Sequence, residues 1–317
     1  MTATVTLMIW SGSAVSAAMP SEPTVRADVL GEIEAALRGG FAAEPLIGGA
    51  ASEVGFGLAE QRILTCPHDR RQRIGTVRDA PLGLVEAAVG TAVAAQHAWD
   101  RLGGEKRAEI LERAADLYER NRSRLMAVIV REAGKTLENA LGDVREAVDF
   151  LRYYATEARG KFGPPIELQG PTGERNTIEL RGRGAFACIS PWNFPIAIFT
   201  GQVAAALASG NTVLAKPAEQ TPLTAFLGTQ LMHEAGVPRE VLQLLPGDGG
   251  VGAALVADPR VAGVVFTGSN ETAWAIQRAL SSRRGAIVPL IAETGGINAM
   301  IVDSTALPEQ VTRDVIR

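Results

Sequence analysis

Four short polar motifs in this sequence combine side chains that could do chemistry, and each follows an apolar run. They are PWN after AFACIS, KPAE after TVLAK, TGS after VAGVVF, and ETGG after IVPLIA. Glu293, in the last motif, lies between an apolar run and a glycine pair, a setting that suits a general base. Gly268 and Ser269 stand where a helix is predicted to begin, so backbone N–H groups and the serine hydroxyl could bind an anion there.

Alternating strands and helices are predicted to position these motifs. After Gly184, the candidate strands are AFACIS, TVLAK, VLQLLP, VAGVVFTG and IVPLIAE, and helices are predicted from about Ile196 to Ala208 and from near Pro222. Such spacing indicates right-handed crossovers and a parallel sheet with helices on both faces, an α/β fold. Ligands bind at the carboxyl ends of the strands in such sheets, which is where the motifs lie.

The first half of the chain is predicted to be helical from about Leu82 to Phe162. The stretch KRAEILERAADLYERNRSRLMAVIVREAG keeps one apolar periodicity and is interpreted as a single helix that Gly134 closes. TLENALGDVREAVDFLRYYATEARG is the next helix. The segment from Pro164 to Leu180 breaks the helical pattern and is predicted to be an extended hairpin or arm.

Composition excludes several classes of function. The chain has 317 residues, 46% of them hydrophobic, with a net charge of −4, which gives no electrostatic reason to expect nucleic acid or an anionic membrane as partner. No apolar run is long enough to span a membrane. The first positive residue is Arg26, so the start lacks a signal peptide's basic region. Two cysteines favour a reducing, cytoplasmic setting, and the three widely spaced histidines predict no metal site.

Residues 247–252, GDGGVG, match the dinucleotide fingerprint G-x-G-x-x-G. They follow a predicted strand and open a helix, so the cofactor pyrophosphate could bind there. The pattern is common in glycine-rich chains, however, and this strand is not the first of the series. A glycine-rich turn that packs a helix against a strand explains the motif equally well, and both interpretations stay open on this motif alone.

The four motifs together, in register and in this order, resemble the aldehyde dehydrogenase superfamily. Within it, the chain is most similar to the L-glutamate γ-semialdehyde (pyrroline-5-carboxylate) dehydrogenase half of bacterial bifunctional proline utilization A proteins. TGQVAAALASGNTVLAKPAEQTP, LVADPRVAGVVFTGSNET and PLIAETGGINAMIVDSTALPEQV carry the resemblance. It implies a Rossmann-like NAD-binding domain over residues 82–317, with 164–181 as an oligomerisation arm, preceded by a tail (1–25) and an amino-terminal segment (26–81).

The resemblance also implies a role for each motif. Asn193 would donate its amide to the developing oxyanion, and Glu293 would be the general base that activates the hydrolytic water. Lys216 and Glu219 would hold the adenosine ribose of NAD, where the carboxylate disfavours NADP. Gly268 and Ser269 would bind the diphosphate, and Gly249 would line the adenine side. The other cofactor-binding residues expected are Ile189, Ser190, Pro191, Trp192, Ala218, Thr267 and Thr272.

The nucleophilic cysteine of the family is expected beyond Arg317, with the rest of the catalytic domain. Cys188 lies inside a predicted buried strand and Cys66 in a loosely matched region, so neither is assigned. The implied function is NAD-dependent oxidation of an aldehyde, L-glutamate γ-semialdehyde, to glutamate in proline catabolism, by an enzyme that is a homo-oligomer when complete. This chain alone is expected to bind NAD without turnover. The alternatives are a non-catalytic NAD-binding paralogue and an acyl-phosphate reductase, which Glu219 and Glu293 disfavour.

Overall fold

The computed structural model describes residues 23–49, 60–297 and 299–316, and most of the predicted tail of residues 1–25 lies outside them. The helices, in chain order, are α1 (Pro23–Arg38), α2 (Leu82–Arg101), α3 (Gly104–Arg120), α4 (Arg122–Glu132), α5 (Leu137–Lys161), α6 (Ala197–Ala208), α7 (Pro222–Glu234), α8 (Gly249–Ala257), α9 (Asn270–Ser281) and α10 (Pro308–Ile316). The strands are β1 (Phe41–Ala43), β2 (Gln61–Cys66), β3 (Asp69–Arg78), β4 (Ile166–Leu168), β5 (Asn176–Ile178), β6 (Ala185–Ile189), β7 (Thr212–Lys216), β8 (Leu242–Leu244), β9 (Val261–Thr267) and β10 (Leu290–Glu293).

The main sheet has the order β10-β9-β6-β7-β8, and each neighbouring pair is parallel. Its side chains alternate between two apolar layers, as a strand period of two requires. In β7, Val213 and Ala215 pack into the layer that α3 to α7 form, whereas Leu214 packs into the layer of α2, α8 and α9; all three are fully buried. This confirms the predicted α/β fold with helices on both faces.

The described residues before α2 pack against the domain that contains the main sheet. Strands β1 to β3 form a small sheet, in which β2 and β3 are antiparallel and β1 is parallel to β3. Leu46 exchanges two backbone hydrogen bonds with Leu244, of 3.0 and 2.9 Å, and so covers the edge of β8. Val29 and Ile33 of α1 are buried in the same core as α3 to α7. The described parts of the segment 26–81 therefore pack directly on the sheet domain.

The helix predicted to run unbroken up to Gly134 is in fact two helices. It is interrupted at Asn121, where the backbone (φ −98°, ψ 14°) leaves the helical region between α3 and α4. The Asn121 amide donates to the Leu117 carbonyl at 2.9 Å and satisfies the end of α3. A local polar group that competes with the helix ladder explains the break, since the apolar periodicity on both sides is continuous. Gly134 has a φ of +68° just after α4, as the closing role requires.

Residues 164–180 form the predicted hairpin, in which β4 and β5 pair antiparallel. Both strands are exposed, and Ile166, Leu168 and Ile178 are about half exposed. After β10 the chain is again largely exposed, and α10 has no buried residue. Within the part of the chain that the structure describes, no helix is both long and apolar enough to cross a membrane, and no group of metal-ligating side chains comes together.

Candidate cofactor and catalytic site

The strand register brings the four motifs to one edge of the main sheet. Ile189 pairs with Lys216 and with Phe266, and Glu293 pairs with Thr267, so the ends of β6, β7, β9 and β10 are level to within one residue. Strands in a sheet lie about 4.8 Å apart, which puts the ends of β7 and β10 about 14 Å from each other. Lys216 and Glu293 therefore mark opposite sides of one extended site, with the PWN and TGS turns between them.

The direction of the chain reverses within the sheet at the centre of this edge. From β6 the chain adds β7 and β8 on one side, and then β9 and β10 on the other. The crevice beyond the ends of β6 and β9 is thus a topological switch point, the usual ligand position in an open parallel sheet. Ser190 and Thr267 flank it, whereas GDGGVG follows β8 at the outer edge. The position of the TGS turn favours it over GDGGVG as the phosphate site.

Asn193 lies in an exposed turn before α6, and its amide makes no hydrogen bond within the described residues. The capping role that could have occupied it is taken by Asp143 of α5, whose Oδ1 accepts from the Ala197 N–H at 2.8 Å. Asp143 is fully buried and its Oδ2 lies 3.0 Å from Lys135 Nζ. Burial raises the pKa of Asp143, although Lys135 opposes this shift. The Asn193 amide is thereby left available to a ligand.

The turn that holds Asn193 is also fixed from its other side. The Lys135 ammonium lies 3.6 Å from the centre of the Phe194 ring, close enough for a cation–π interaction. Lys135 thus contacts both Asp143 and the residue that follows Asn193. Trp192, the residue before Asn193, is 55% exposed, whereas Ser190 is buried at the end of β6. Pro191 between them is half-buried.

Lys216 ends β7 as a buried ammonium with few partners. It is 6% exposed, and its Nζ donates to the Pro217 carbonyl at 2.9 Å, the one hydrogen bond it makes within the described ranges. Burial lowers the pKa of Lys216, while Glu219, Asp248 and Asp79 partly offset this effect. An ammonium has three donors, so Lys216 has donors to spare for a ligand.

The groups around Lys216 face the same end of the site. A Cβ at Gly252 of α8 would lie 3.3 Å from the Lys216 side chain, a tight contact that the absence of a side chain avoids. Gly249 begins that helix, and Asp248 caps it by accepting from the Gly250 N–H at 2.8 Å. Ala218 is half-buried and Glu219 is exposed in the turn after β7.

The TGS turn opens α9 as predicted, and Ser269 caps the helix by accepting from the Thr272 N–H at 3.2 Å. Thr267 receives a hydrogen bond of 2.9 Å from Gln202 of α6, which also donates to the Ile189 carbonyl and so bridges β6 and β9. The Glu271 side chain folds back on this helix start, and hydrogen bonds from its own N–H and from Ser269 lower its pKa. The turn therefore stabilises negative charge, as the helix dipole leads one to expect.

Glu293 ends β10 with its side chain exposed. Its carbonyl accepts from the Gly268 N–H at 3.1 Å, which ties the ETGG turn to the TGS turn. Its carboxylate, by contrast, has no hydrogen-bond partner among residues 23–49, 60–297 and 299–316. The alternative to a catalytic base is a carboxylate that accepts hydrogen bonds from neighbouring N–H groups. The described residues do not form such hydrogen bonds with Glu293. Glu293 is free to contact a water or a nucleophile.

Both cysteines are buried free thiols. Cys188 lies inside β6, as predicted, and burial raises its pKa. Cys66 is fully buried at the β2–β3 turn, where its Sγ lies 3.0 Å from His68 Nδ1. A substrate carbonyl cannot reach either sulfur in this arrangement, so neither is a candidate nucleophile.

Sequence reasoning missed five charged side chains and one amide that support the motifs from outside the main sheet. They are Arg62, Asp79, Glu132, Lys135, Asp143 and Gln202. Each contacts a motif residue or its neighbour, either directly or through another member of this group. The direct contacts join residues at least 13 positions apart in the sequence. A single sequence carries no signal for such long-range pairs, and each of these residues taken alone resembles an ordinary solvated polar position.

The chain is similar to known proteins over most of its length. The family model described as "Aldehyde dehydrogenase family" matches residues 59–317. The bifunctional protein PutA of Klebsiella aerogenes is 52% identical over 81% of this chain and 19% of its own length. The 1-pyrroline-5-carboxylate dehydrogenase of Anoxybacillus flavithermus is 39% identical over 82% of this chain and 51% of its own length. A solved 1-pyrroline-5-carboxylate dehydrogenase from Thermus with bound NAD is 34% identical, with a TM-score of 0.82, over 88% of this chain and 55% of its own.

These relatives are longer than this chain, which spans about a fifth of the bifunctional protein and about half of each dehydrogenase. The match nevertheless covers the main sheet, all four motifs and the strands β2 and β3. The chain belongs to the aldehyde dehydrogenase family.

Proposed function

We propose that this chain forms the cofactor site and part of the catalytic site of an NAD-dependent dehydrogenase that oxidises L-glutamate γ-semialdehyde to glutamate. The observation that carries the proposal is the level ending of β6, β7, β9 and β10, which brings a free amide, a buried ammonium, a helix start and a free carboxylate to one edge. The names of the relatives supply the substrate class and the step in proline breakdown.

The residues at the β7 side fit the adenosine end of NAD. Lys216 has unused donors in a buried position, and Glu219 offers an exposed acceptor, a pair that suits vicinal hydroxyls. An additional phosphate on the ribose would meet the carboxylates of Glu219, Asp248 and Asp79, so NAD is expected to bind in preference to NADP. Gly268 and Ser269 would hold the diphosphate at the start of α9.

The residues at the β6 and β10 side fit aldehyde oxidation. NAD, when bound, supplies the hydride acceptor. The Asn193 amide would donate to the oxygen of the tetrahedral intermediate, where a preorganised donor lowers the barrier by several kcal/mol, about 3 in comparable cases. The Glu293 carboxylate would accept the proton of the hydrolytic water. The nucleophile is neither Cys66 nor Cys188, because both thiols are buried.

Nucleotide binding and turnover by the 317-residue chain test this proposal separately. In calorimetric titrations the chain is expected to bind NAD at least about tenfold more tightly than NADP, a difference of about 1.4 kcal/mol. Glu219→Gln keeps the size of the side chain but removes its charge, and it should reduce that preference. Incubation with NAD and pyrroline-5-carboxylate should produce no NADH absorbance.

Three other outcomes would each change the proposal. Equal or tighter binding of NADP would contradict the assignment of Glu219. NADH formation that Cys66→Ser or Cys188→Ser abolishes would contradict the exclusion of both thiols. If a longer form of the protein that contains a reactive cysteine binds NAD but forms no NADH, the protein is better described as a non-catalytic NAD-binding paralogue. The observation that favours this alternative is that both thiols of this chain are buried.

The β4–β5 hairpin is proposed to be an oligomerisation arm. Its apolar side chains Ile166, Leu168 and Ile178 are about half exposed, and β4 and β5 form a separate two-stranded sheet that pairs with no other strand among the described residues. Sedimentation velocity is the measurement that tests this, and a protein that stays monomeric at high concentration would argue against it. The two free thiols support a reducing, cytoplasmic setting.

A further inference from the structure

Arg62 links the small amino-terminal sheet to the turn that follows β7. It lies on β2, and its guanidinium makes two parallel hydrogen bonds with Asp79, from Nε at 3.3 Å and from Nη2 at 3.2 Å. The remaining nitrogen, Nη1, donates to the carbonyl oxygen of Glu219 at 3.2 Å. The two-point contact with Asp79 fixes the plane of the guanidinium. Arg62 thus presents its third donor to the turn in a defined direction.

The far end of the same turn is held by a second side chain from outside the sheet. Glu132 of α4 is buried and accepts from the N–H groups of Leu223 and Thr224, at 2.6 and 2.8 Å, and from the Thr224 hydroxyl at 2.6 Å. Burial raises the pKa of Glu132 to about 7, against the effect of these three donors. Within the turn, the Thr221 N–H bonds to the Ala218 carbonyl at 3.0 Å. The start of α7 is therefore anchored.

Between these two anchors, little fixes the Glu219 carboxylate itself. It is exposed, and its side-chain contact within the described ranges is a long hydrogen bond of 3.4 Å from Gln220. The direction in which the carboxylate projects must then follow from the position of the Glu219 backbone. Arg62 acts at that backbone, on the carbonyl of the same residue, so loss of this contact would release one of the two residues proposed to bind the ribose.

We propose that Arg62, oriented by Asp79, is a positioning residue that aims the Glu219 carboxylate at the ribose hydroxyls of an adenine nucleotide. The inference rests on the proposed function for the role of Glu219, and it adds the amino-terminal strands β2 and β3 to the cofactor site. In this role Arg62 acts through the Glu219 backbone and not on the nucleotide itself. Its expected signature is a change in hydroxyl recognition rather than a general loss of folding.

Hydroxyl recognition can be measured with two probes, adenosine 5′-monophosphate and its 2′-deoxy form. Wild type should prefer the ribonucleotide. Arg62→Met keeps most of the apolar stem, and it should weaken ribonucleotide binding by about three- to tenfold, the effect of one hydrogen bond. The deoxynucleotide keeps only the 3′-hydroxyl for Glu219, so its binding should weaken less and the preference for the ribonucleotide should narrow. Arg62→Lys retains a donor without the fork and should give an intermediate preference.

Arg71→Met is the matched control, because it removes an arginine from the same small sheet. Arg71 is fully exposed and pairs with Asp69 at 2.9 Å, far from the β7–α7 turn. It should leave both affinities at their wild-type values. Asp79→Asn provides a second route to the same result, since it weakens the orientation of Arg62 without removing the guanidinium. Asp79→Asn should reduce the preference for the ribonucleotide over the deoxynucleotide less than Arg62→Met does.

Each outcome decides between two separate claims. If wild type binds neither probe or binds both equally, the ribose role of Glu219 fails and the proposed function is at fault. If wild type prefers the ribonucleotide and Arg62→Met shows the same preference, the positioning role of Arg62 is overturned. Circular dichroism and thermal melts establish folding. Should Arg62→Met not fold, an unchanged preference in both Arg62→Lys and Asp79→Asn overturns the inference, and a narrowed preference in either supports it.

Discussion

Replacing Asp143 with alanine should lower the free energy of unfolding by about 3–5 kcal/mol. The Asp143 carboxylate is fully buried between Lys135 Nζ at 3.0 Å and the Ala197 N–H at 2.8 Å. Its removal leaves a nearly buried ammonium without its counter-ion and the first N–H of α6 without an acceptor. Denaturant unfolding followed by far-UV circular dichroism measures the change.

Asp116→Ala is the control for this prediction. Asp116 is about half exposed and lies 3.5 Å from Arg152, so its loss should change the free energy of unfolding by less than about 0.5 kcal/mol. The double variant Lys135→Met with Asp143→Leu removes both buried charges and should regain part of the lost stability. An Asp143→Ala variant as stable as Asp116→Ala would show that the buried pair does not hold α5 to α6.

The Lys135–Asp143 pair also affects the site, because both side chains contact residues that closely follow Asn193. Lys135 contacts the Phe194 ring, and Asp143 caps the helix that follows. A side chain that serves as an oxyanion donor must be held in place before the reaction, since reorganisation at that moment would cost the energy that catalysis needs. The buried charges therefore connect the stability of the α5–α6 contact to the position of the Asn193 amide.

The sequence predicts those parts of the fold that depend on local pattern. β7 matches TVLAK residue for residue, because a short apolar run lies between Asn211 and Pro217, which both disfavour a strand. The placement of the motifs at one edge could also be predicted, since parallel strands end on the same side of a sheet. The break at Asn121 could not, because the apolar periodicity runs through it and the decisive contact is a single amide hydrogen bond.

The supports of the site depend on pairs that are distant in sequence. Arg62 meets Glu219 across 157 positions, and Glu132 meets Leu223 across 91. Each of these residues, taken alone, looks like one charge among many on a helix or an edge strand. Only the packing of β2 and α4 against the β7–α7 turn decides which charges become buried or shared, and that packing is set by the whole core.

Replacing Lys216 with methionine should move nucleotide binding and stability in opposite directions. Hydrogen bonds to a charged group contribute about 1.5–3 kcal/mol, so loss of the ammonium should weaken NAD binding by about 10- to 100-fold. The free energy of unfolding should stay level or rise slightly, because among the described residues the buried ammonium hydrogen-bonds only the Pro217 carbonyl, and burial of its charge is unfavourable. Methionine fills the same space with a flexible apolar chain. Calorimetric titration with NAD and denaturant unfolding measure the two effects.

Lys106→Met serves as the control, since Lys106 is 60% exposed and pairs with Glu109 on the surface of α3, so neither quantity should change. A Lys216→Met variant that binds NAD as tightly as wild type would contradict the ribose assignment at the end of β7. One that is destabilised by about 2 kcal/mol or more would instead identify the ammonium as a structural partner of the Pro217 carbonyl. A replacement that raises the free energy of unfolding and weakens NAD binding identifies a binding residue. The buried charge of such a residue destabilises the fold but contributes to ligand binding.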